Sequence, residues 1–513
     1  MERIAAIVKR EGLLQSEQRE LDIQKGAPPL YLEEGGAKLY KRSLYARNGA
    51  LYFIAKLDGV KSLFVASEKA VKGGFTGAAA RFDGIHLLKA DFSLENARVL
   101  RELFPFTAPI SLRDKKTTIG CGDRLGLATP GHLRAANKFD CYPVLAQQSV
   151  RELTLTKRDF QSVARDVSFL VFQEGYERGY GSDGDHLKKM ADIDLALEAG
   201  MPMITLDLTE VMHPDPASWS TAKIDSEFEK LDDSIAQPVL RMYAGKTFKL
   251  SSSTIVFGAE EVKRCTLMYW DMLEFTKQVD SHLKDKRGDQ YDLEISIDET
   301  TTPTVPSHHL FIASELQNRG VVVNSLAPRF IGEFQKGIDY IGKVEEFDKQ
   351  FMVHCDIARA YGNYKVSIHS GSDKFSVYPS IGKYTRERLH LKTAGTSWLE
   401  AMRVVARTNP ALFRRMLAKA FDYFPEATKL YHITADIHQI RDAREVDDAH
   451  LDEYLNDSNS RQLIHITYGG LLNDPDLRSE FFRTLDEHEE EHYATIERHL
   501  TKHIELLGVE RRQ

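Results

Sequence analysis

The chain has 513 residues, 42% hydrophobic and 28% charged, with a formal net charge of −8 and a pI near 6.2. No basic excess is present to neutralise phosphates, which excludes a nucleic-acid partner, and no apolar run approaches the ~18 residues of a membrane span. The charged start "MERIAAIVKREGLL" is not a secretory signal. Four scattered cysteines, Cys121, Cys141, Cys265 and Cys355, form no C-x-x-C pair. They predict reduced thiols in a cytoplasmic protein rather than a disulfide framework.

Residues 1–112 read as a small N-terminal α+β segment. "ALYFIAKL" and "GVKSLFVAS" have strand composition and meet at "DG", a hairpin signal. "GIHLLKA" predicts a third strand. "SLENARVLRELF" predicts a helix with Ser93 as its N-cap.

Residues 113–400 change rhythm. Eight short apolar segments recur: "TTIGCGDRLG", "PVLAQQSVRE", "FLVFQEGY", "MITLDLTE", "LEISIDET", "VVVNSLAPRFIG", "YKVSIHSGS" and "RLHLKTAGTS". Helical connectors such as "PSHHLFIASELQNRG" lie between several of them. Alternating strand and helix predicts a parallel sheet, and eight units over this length predict a (β/α)8 TIM-like barrel. A doubly wound open sheet is the alternative. Its dinucleotide fingerprint is not met, because "GCGDRLG" places its last glycine one residue late, so no NAD is expected. Residues 401–513 predict a helical C-terminal extension packed on the barrel.

Polar residues gather after the strands, where barrels collect their chemistry. On this reading "GYGSDGDHLK" is the loop after the third strand. Strand alternation puts Leu293, Ile295 and Ile297 on one face and Glu294, Ser296 and Asp298 on the other. The same parity turns Lys365, Ser367 and His369 inward and puts His390 and Lys392 on one face. Buried carboxylates need pairing, hydrogen bonds or a metal. His186 and His369, with Asp298 or Glu299 between them in strand order, therefore form a candidate site for a divalent cation, with zinc, manganese and nickel all compatible. Asp185, beside His186, suits proton transfer. Arg124 and His132 are candidates to touch an anion, and Arg124, Lys374 and Lys392 to hold a substrate carboxylate. The expected partner is an anionic, polyhydroxylated small molecule, and a homo-oligomer is compatible with the chain.

One motif points elsewhere. "HEEEH", His488 to His492, fits the H-E-x-x-H metalloprotease pattern. Its crowding with charge and the lack of a third ligand predict a solvated helix face instead, with His499 and His503 on the same face.

The runs "GDRLGLATPGHLRA", "AQQSVRE", "FQEGYERGYGSDGDHLK", "SIDETTTPTVP", "RFIGEFQKGIDY", "HSGSDKFSVYP", "HLKTAGTSWLEA" and "RQLIHITYG" resemble the bacterial tagaturonate epimerases, from about residue 117 to the C-terminus. The resemblance implies a divalent-metal-dependent isomerase on a barrel-like fold, working without nicotinamide. It interconverts the ketohexuronates tagaturonate and fructuronate, with side activity on fructose and tagatose. Carried over residue by residue, Asp185 looks like the proton acceptor, Glu294 like the proton donor, and His186 and His369 like metal ligands. Gln148 falls in a matching run and is taken as substrate-binding. Asp298 is the third ligand by strand parity, with His309 and Glu333 as rivals. Cys121 and Gly131 stand where the family pattern calls for other small residues.

The two ketohexuronates differ at a carbinol carbon two bonds from the keto carbon. Enolisation acidifies only the adjacent carbon, so one enediolate step cannot invert this centre. Retro-aldol cleavage and re-addition can, and needs a base, a Lewis acid and a second acid–base group, expected on the opposite face. Two alternatives stay open: a metal-dependent aldose–ketose isomerase of hexuronates, and a non-enzymatic sugar-acid sensor.

Overall fold

The computed structural model describes every residue except 71–73, 299, 301 and 513. The N-terminal segment is an antiparallel seven-stranded sheet with a helix, Glu2–Arg10, on one face. The predicted hairpin joins Ala50–Leu57 to Val60–Ser67 through Asp58 and Gly59, both at positive φ, as a tight two-residue turn requires. Alternation buries both faces. Phe53 and Phe64 meet Ile4 and Ile7 on one side, while Tyr52 and Val65 meet Phe169 and Phe172 on the other. The predicted helix forms over Leu94–Leu103, where Ser93 accepts the amide of Asn96.

Eight parallel strands close into a barrel in sequence order. They are β1 (Thr117–Cys121), β2 (Tyr142–Ser149), β3 (Gly181–Leu187), β4 (Met203–Asp207), β5 (Asp292–Ile297), β6 (Ser325–Pro328), β7 (Lys365–Ile368) and β8 (Leu389–Lys392). β8 closes on β1 through Leu389↔Thr117.

Seven of the eight predicted segments cover these strands to within a residue at the strand start; the third does not. "FLVF" lies inside a helix, Phe160–Glu174, and the strand is "GSDGDHL" itself, which the sequence had suggested as the loop after it. The helix sits between two bodies. Phe169 and Phe172 face the N-terminal sheet while Val167 and Val171 face the barrel, so its second half, residues 167–173, is buried on every side and reads as a continuous run. The true β3 is glycine-rich because a helix crosses it closely: a Cβ on Gly184 would stand 2.8 Å from Cβ of Ala196.

After β8 the chain runs into a helical body around Trp398, Met402, Phe413 and Phe481. It then returns along the barrel as the helix Glu489–Leu506. Leu500 and Ile504 are buried in the barrel's outer core, each worth about 2 kcal/mol of transfer free energy. Gly131 admits this helix, since a Cβ there would lie 2.8 Å from Ile496. All four cysteines are buried and unbridged. Among the described residues no helix is long and apolar enough to cross a membrane.

Candidate active site

A cavity of about 580 Å³ opens at the C-terminal mouth of the barrel. Asp185, His186, Asp298 and His369 all line it. β5 and β7 present their residues as alternation predicts: Ile295 and Ile368 pack outward, while Glu294 and His369 meet inside at 2.7 Å. At the end of β3 the register shifts and His186 takes a left-handed φ of 59°, which swings its ring toward β7. The rings of His186 and His369 have centroids 5.0 Å apart.

The hydrogen bonds around these two rings set their tautomers. A carboxylate can only accept, so His186 donates Nδ1–H to Asp185 (2.8 Å) and His369 donates Nε2–H to Glu294 (2.7 Å). In its neutral form His369 then carries its lone pair on Nδ1. His369 Nδ1 is buried with no hydrogen-bond partner and lies 3.1 Å from Asp298 Oδ1. Each of the three side chains offers a ligand atom, and these atoms lie within 4.8 Å of one another. Two imidazoles and a carboxylate, each imidazole backed by its own carboxylate, suit a divalent cation. Burial disfavours charge on His369, but Asp298 and Glu294 outweigh it and hold the imidazolium up to about 9. The site demands positive charge, which a metal ion supplies as well as a proton does.

Beneath the mouth Lys392 gathers three carboxylates. Its Nζ lies 2.6 Å from Asp185, 2.7 Å from Glu294 and 3.2 Å from Asp183, and it donates to Thr205 at 2.8 Å. Burial opposes the ammonium, but the three anions raise its pKa above the usual lysine value. Burial likewise works to raise Asp185, yet His186 and Lys392 hold it far below the carboxylate range. Lys392 and His369 do the same for Glu294. Asp183 goes the other way. Burial dominates, and with Asp185 and Glu294 it prevails over Lys392, placing Asp183 at about 6. Asp185 and Glu294 thus converge on one nitrogen rather than standing on opposite faces. Only Asp185 reaches the cavity wall.

The other expected residues divide. Arg124 lines the cavity, but it pairs with Glu152 at 2.8 Å and stacks 3.6 Å over the Tyr468 ring. Lys374 does not line the cavity. It is fully buried and donates to the carbonyls of Gln335, Ile338 and Ser372, and burial pushes it down to about 7. Gln148 is also fully buried off the cavity, with both amide atoms unpartnered. His132 is buried against Ser397. Of the rival ligands, His309 bonds His354 and Tyr364 in the outer core, and Glu333 lines the cavity rim. Glu299 lies outside the described residues.

The "HEEEH" run is not a solvated face. His488 caps the final helix, Glu489 is buried against Lys61 and Tyr40, and His492 is buried. His503 is buried and His499 largely so, both against Asp373, because this helix packs on the barrel instead of facing water.

Sequence reasoning missed Asp183 and Thr205. Asp183 was legible in principle, since "DGD" places both aspartates on one face of a strand.

The chain matches the tagaturonate epimerase family over residues 40–507. It belongs to that family. The match starts well before residue 117 and takes in most of the N-terminal sheet. The chain is 39% identical over 473 residues to a tagaturonate/fructuronate epimerase of Thermotoga maritima, covering 92% of this chain and 97% of the relative. It is also similar to solved structures of a fructuronate-tagaturonate epimerase from Cohnella laeviribosi, native and glycerol-complexed. Each shows 42% identity and a TM-score of 0.88, covering 96% of this chain and 100% of the other. Family membership makes the chain an epimerase of the isomerase class.

Proposed function

We propose that this chain interconverts D-tagaturonate and D-fructuronate at a metal-dependent site in the barrel mouth, and acts by the same chemistry at C4 of fructose and tagatose. The observation that carries the reading is the convergence of His186, Asp298 and His369 beside two carboxylates that share Lys392. A bound zinc, manganese or nickel ion supplies Lewis-acid polarisation of the keto oxygen.

The residues do the rest. Asp185, kept ionised by His186 and Lys392, stands at the cavity wall and takes the proton of the β-hydroxyl. The electrons of the O–H bond form the aldehyde, and those of the bond between the α and β carbons move into the carbonyl, leaving an enediolate. The aldehyde turns within the cavity, and the bond reforms on its other face. Asp185 returns the proton to the inverted alkoxide. Glu294 and Asp185 meet on Lys392 Nζ, so the two acids and the ammonium form one proton-handling unit under the substrate.

The test is turnover of tagaturonate by purified, metal-analysed protein, run in deuterated water. Fructuronate is the expected product, chelation abolishes its formation, and the inverted carbon stays free of deuterium. Formation of galacturonate instead would identify an aldose–ketose isomerase. One deuteron at the inverted carbon per turnover would rule out the cleavage route.

A further inference from the structure

A uronate carries its carboxylate at the far end of the chain from the keto carbon, and a neutral ketohexose has a hydroxymethyl group there. Most cations in and near the mouth are already engaged. Lys392 serves three carboxylates, Arg124 is paired and stacked, and Lys374, off the cavity, serves three carbonyls. Lys188 reaches Asp207 at 3.6 Å and donates to Thr209. Lys189 also lines the cavity but is exposed at its rim.

Arg329 and Lys336 differ. Both line the cavity and both are half-buried. Neither side chain has a hydrogen bond or ion pair among the described residues. A half-buried guanidinium in a cavity wall with no anion of its own is placed to take one from a ligand.

The strand register shows where Arg329 sits. β5 and β6 pair through Glu294↔Ser325, Ser296↔Ala327 and Ile297↔Pro328. Ser325 donates to Glu294 inside the barrel, which fixes the inward parity of β6. Two residues per pleat then carry Arg329 to the inward side at the level of Asp298, one strand spacing away. Its backbone is pinned on both sides: Thr304 N–H donates to the Arg329 carbonyl at 2.8 Å, and Arg329 N–H donates to Thr304 Oγ1 at 3.0 Å. A rigid strand end therefore delivers a planar five-donor fork beside the candidate metal ligand, in the geometry that takes a carboxylate through two parallel bonds.

We infer that Arg329, assisted by Lys336, holds the substrate's carboxylate and sets the preference for a uronate over a neutral ketohexose. The inference rests on the functional reading above. Its experiment compares wild type with Arg329→Gln, Arg329→Lys and Lys336→Gln. It measures KM and kcat on tagaturonate, and calorimetric binding of tagaturonate and of tagatose.

The expected result for Arg329→Gln is a rise in KM of about 10- to 100-fold, larger than any fall in kcat. The binding preference for tagaturonate over tagatose falls by a similar factor. Lys336→Gln gives a smaller rise, about threefold to tenfold, and Arg329→Lys recovers part of the Arg329→Gln loss. An unchanged KM, a kcat loss at unchanged KM, or equal weakening of tagaturonate and tagatose would overturn it. Should wild type bind tagaturonate yet fail to turn it over, the functional reading fails, while the Arg329→Gln binding ratio still decides the carboxylate site. No binding of tagaturonate by wild type overturns both.

Discussion

Among the described residues two clusters share one composition, two histidines and an aspartate within ligand distance of one another. At the barrel mouth His186, Asp298 and His369 face a cavity. At the join with the C-terminal helix, Asp373 meets His499 at 2.7 Å and His503 at 3.9 Å. The difference lies in the surrounding hydrogen bonds. At the mouth, carboxylates take one N–H from each ring, and His369 Nδ1 is left without a hydrogen-bond partner. At the join, His503 contributes Nδ1 to the His499 carbonyl and receives the Asp373 N–H on Nε2, so both nitrogens are occupied by backbone. Asp373 also pairs with Arg461 at 2.9 Å. One cluster is the proposed ion site; the other ties the loop after β7 to the final helix. Residue types alone do not separate them, whereas the partners of each ring nitrogen do.

The sharpest way to break this contrast is His369→Gln. It removes a candidate ligand and leaves Glu294 short of a donor. Epimerase activity should fall on the order of 10³-fold, with bound metal lost by elemental analysis and melting temperature little changed. Retention of more than a tenth of the activity would defeat the assignment.

The next effect belongs to the join. Asp373→Asn strands the buried Arg461 without its anion and leaves His499 with Glu400 alone, and should cost about 3 kcal/mol of unfolding free energy, read by denaturant titration. Activity per folded molecule should drop less than tenfold. A larger drop with unchanged stability would move Asp373 into the active site.

The smallest effect is a pH dependence. Burial opposes charge on His499, but Glu400 and Asp373 raise its folded pKa above the usual histidine value. Its stabilisation is therefore fully present below the unfolded value of about 6.5 and is lost as pH rises through the higher folded value. Asp373 is depressed by His499 and Arg461 against burial, so its contribution is present above about 3.9 and is lost in acid. The stability difference between wild type and His499→Gln should be about 1 kcal/mol between roughly pH 4 and 6.5, and should shrink at alkaline pH. A difference that grows with pH would show that His499 acts as a neutral ring.

Legibility followed periodicity. β5 and β7 alternate cleanly, so the inward row of Glu294, Asp298 and His369 could be read from parity alone. The Phe160–Glu174 helix and β3 defeated the same method. One is buried on every side over its second half because it is sandwiched, and the other has Leu187 as its one large apolar residue because a helix lies against Gly184 while its aspartates face Lys392. Lys374 looked available because its charge suggests a surface or a ligand. Only the fold reveals that three carbonyls surround it. The same gap hid Arg329, which opens the matching run "RFIGEFQKGIDY" yet shows no sign in the sequence that its charge stays unpaired.

Taken alone, the order of residues gave the repeating strand–helix rhythm, the eight-fold count and the inward polar row of β5 and β7, and its motifs carried the resemblance to the family. Rhythm and parity are properties of local spacing, and local spacing is written along the chain. The choice of which charges stay unpaired was made only when distant segments met. Lys392 neutralises acids more than a hundred and ninety residues away on β3, Arg461 neutralises Asp373 across 88 positions, and Arg329 is left facing the cavity. A charge's role depends on what surrounds it in space, and burial, not sequence distance, sets how strongly it acts.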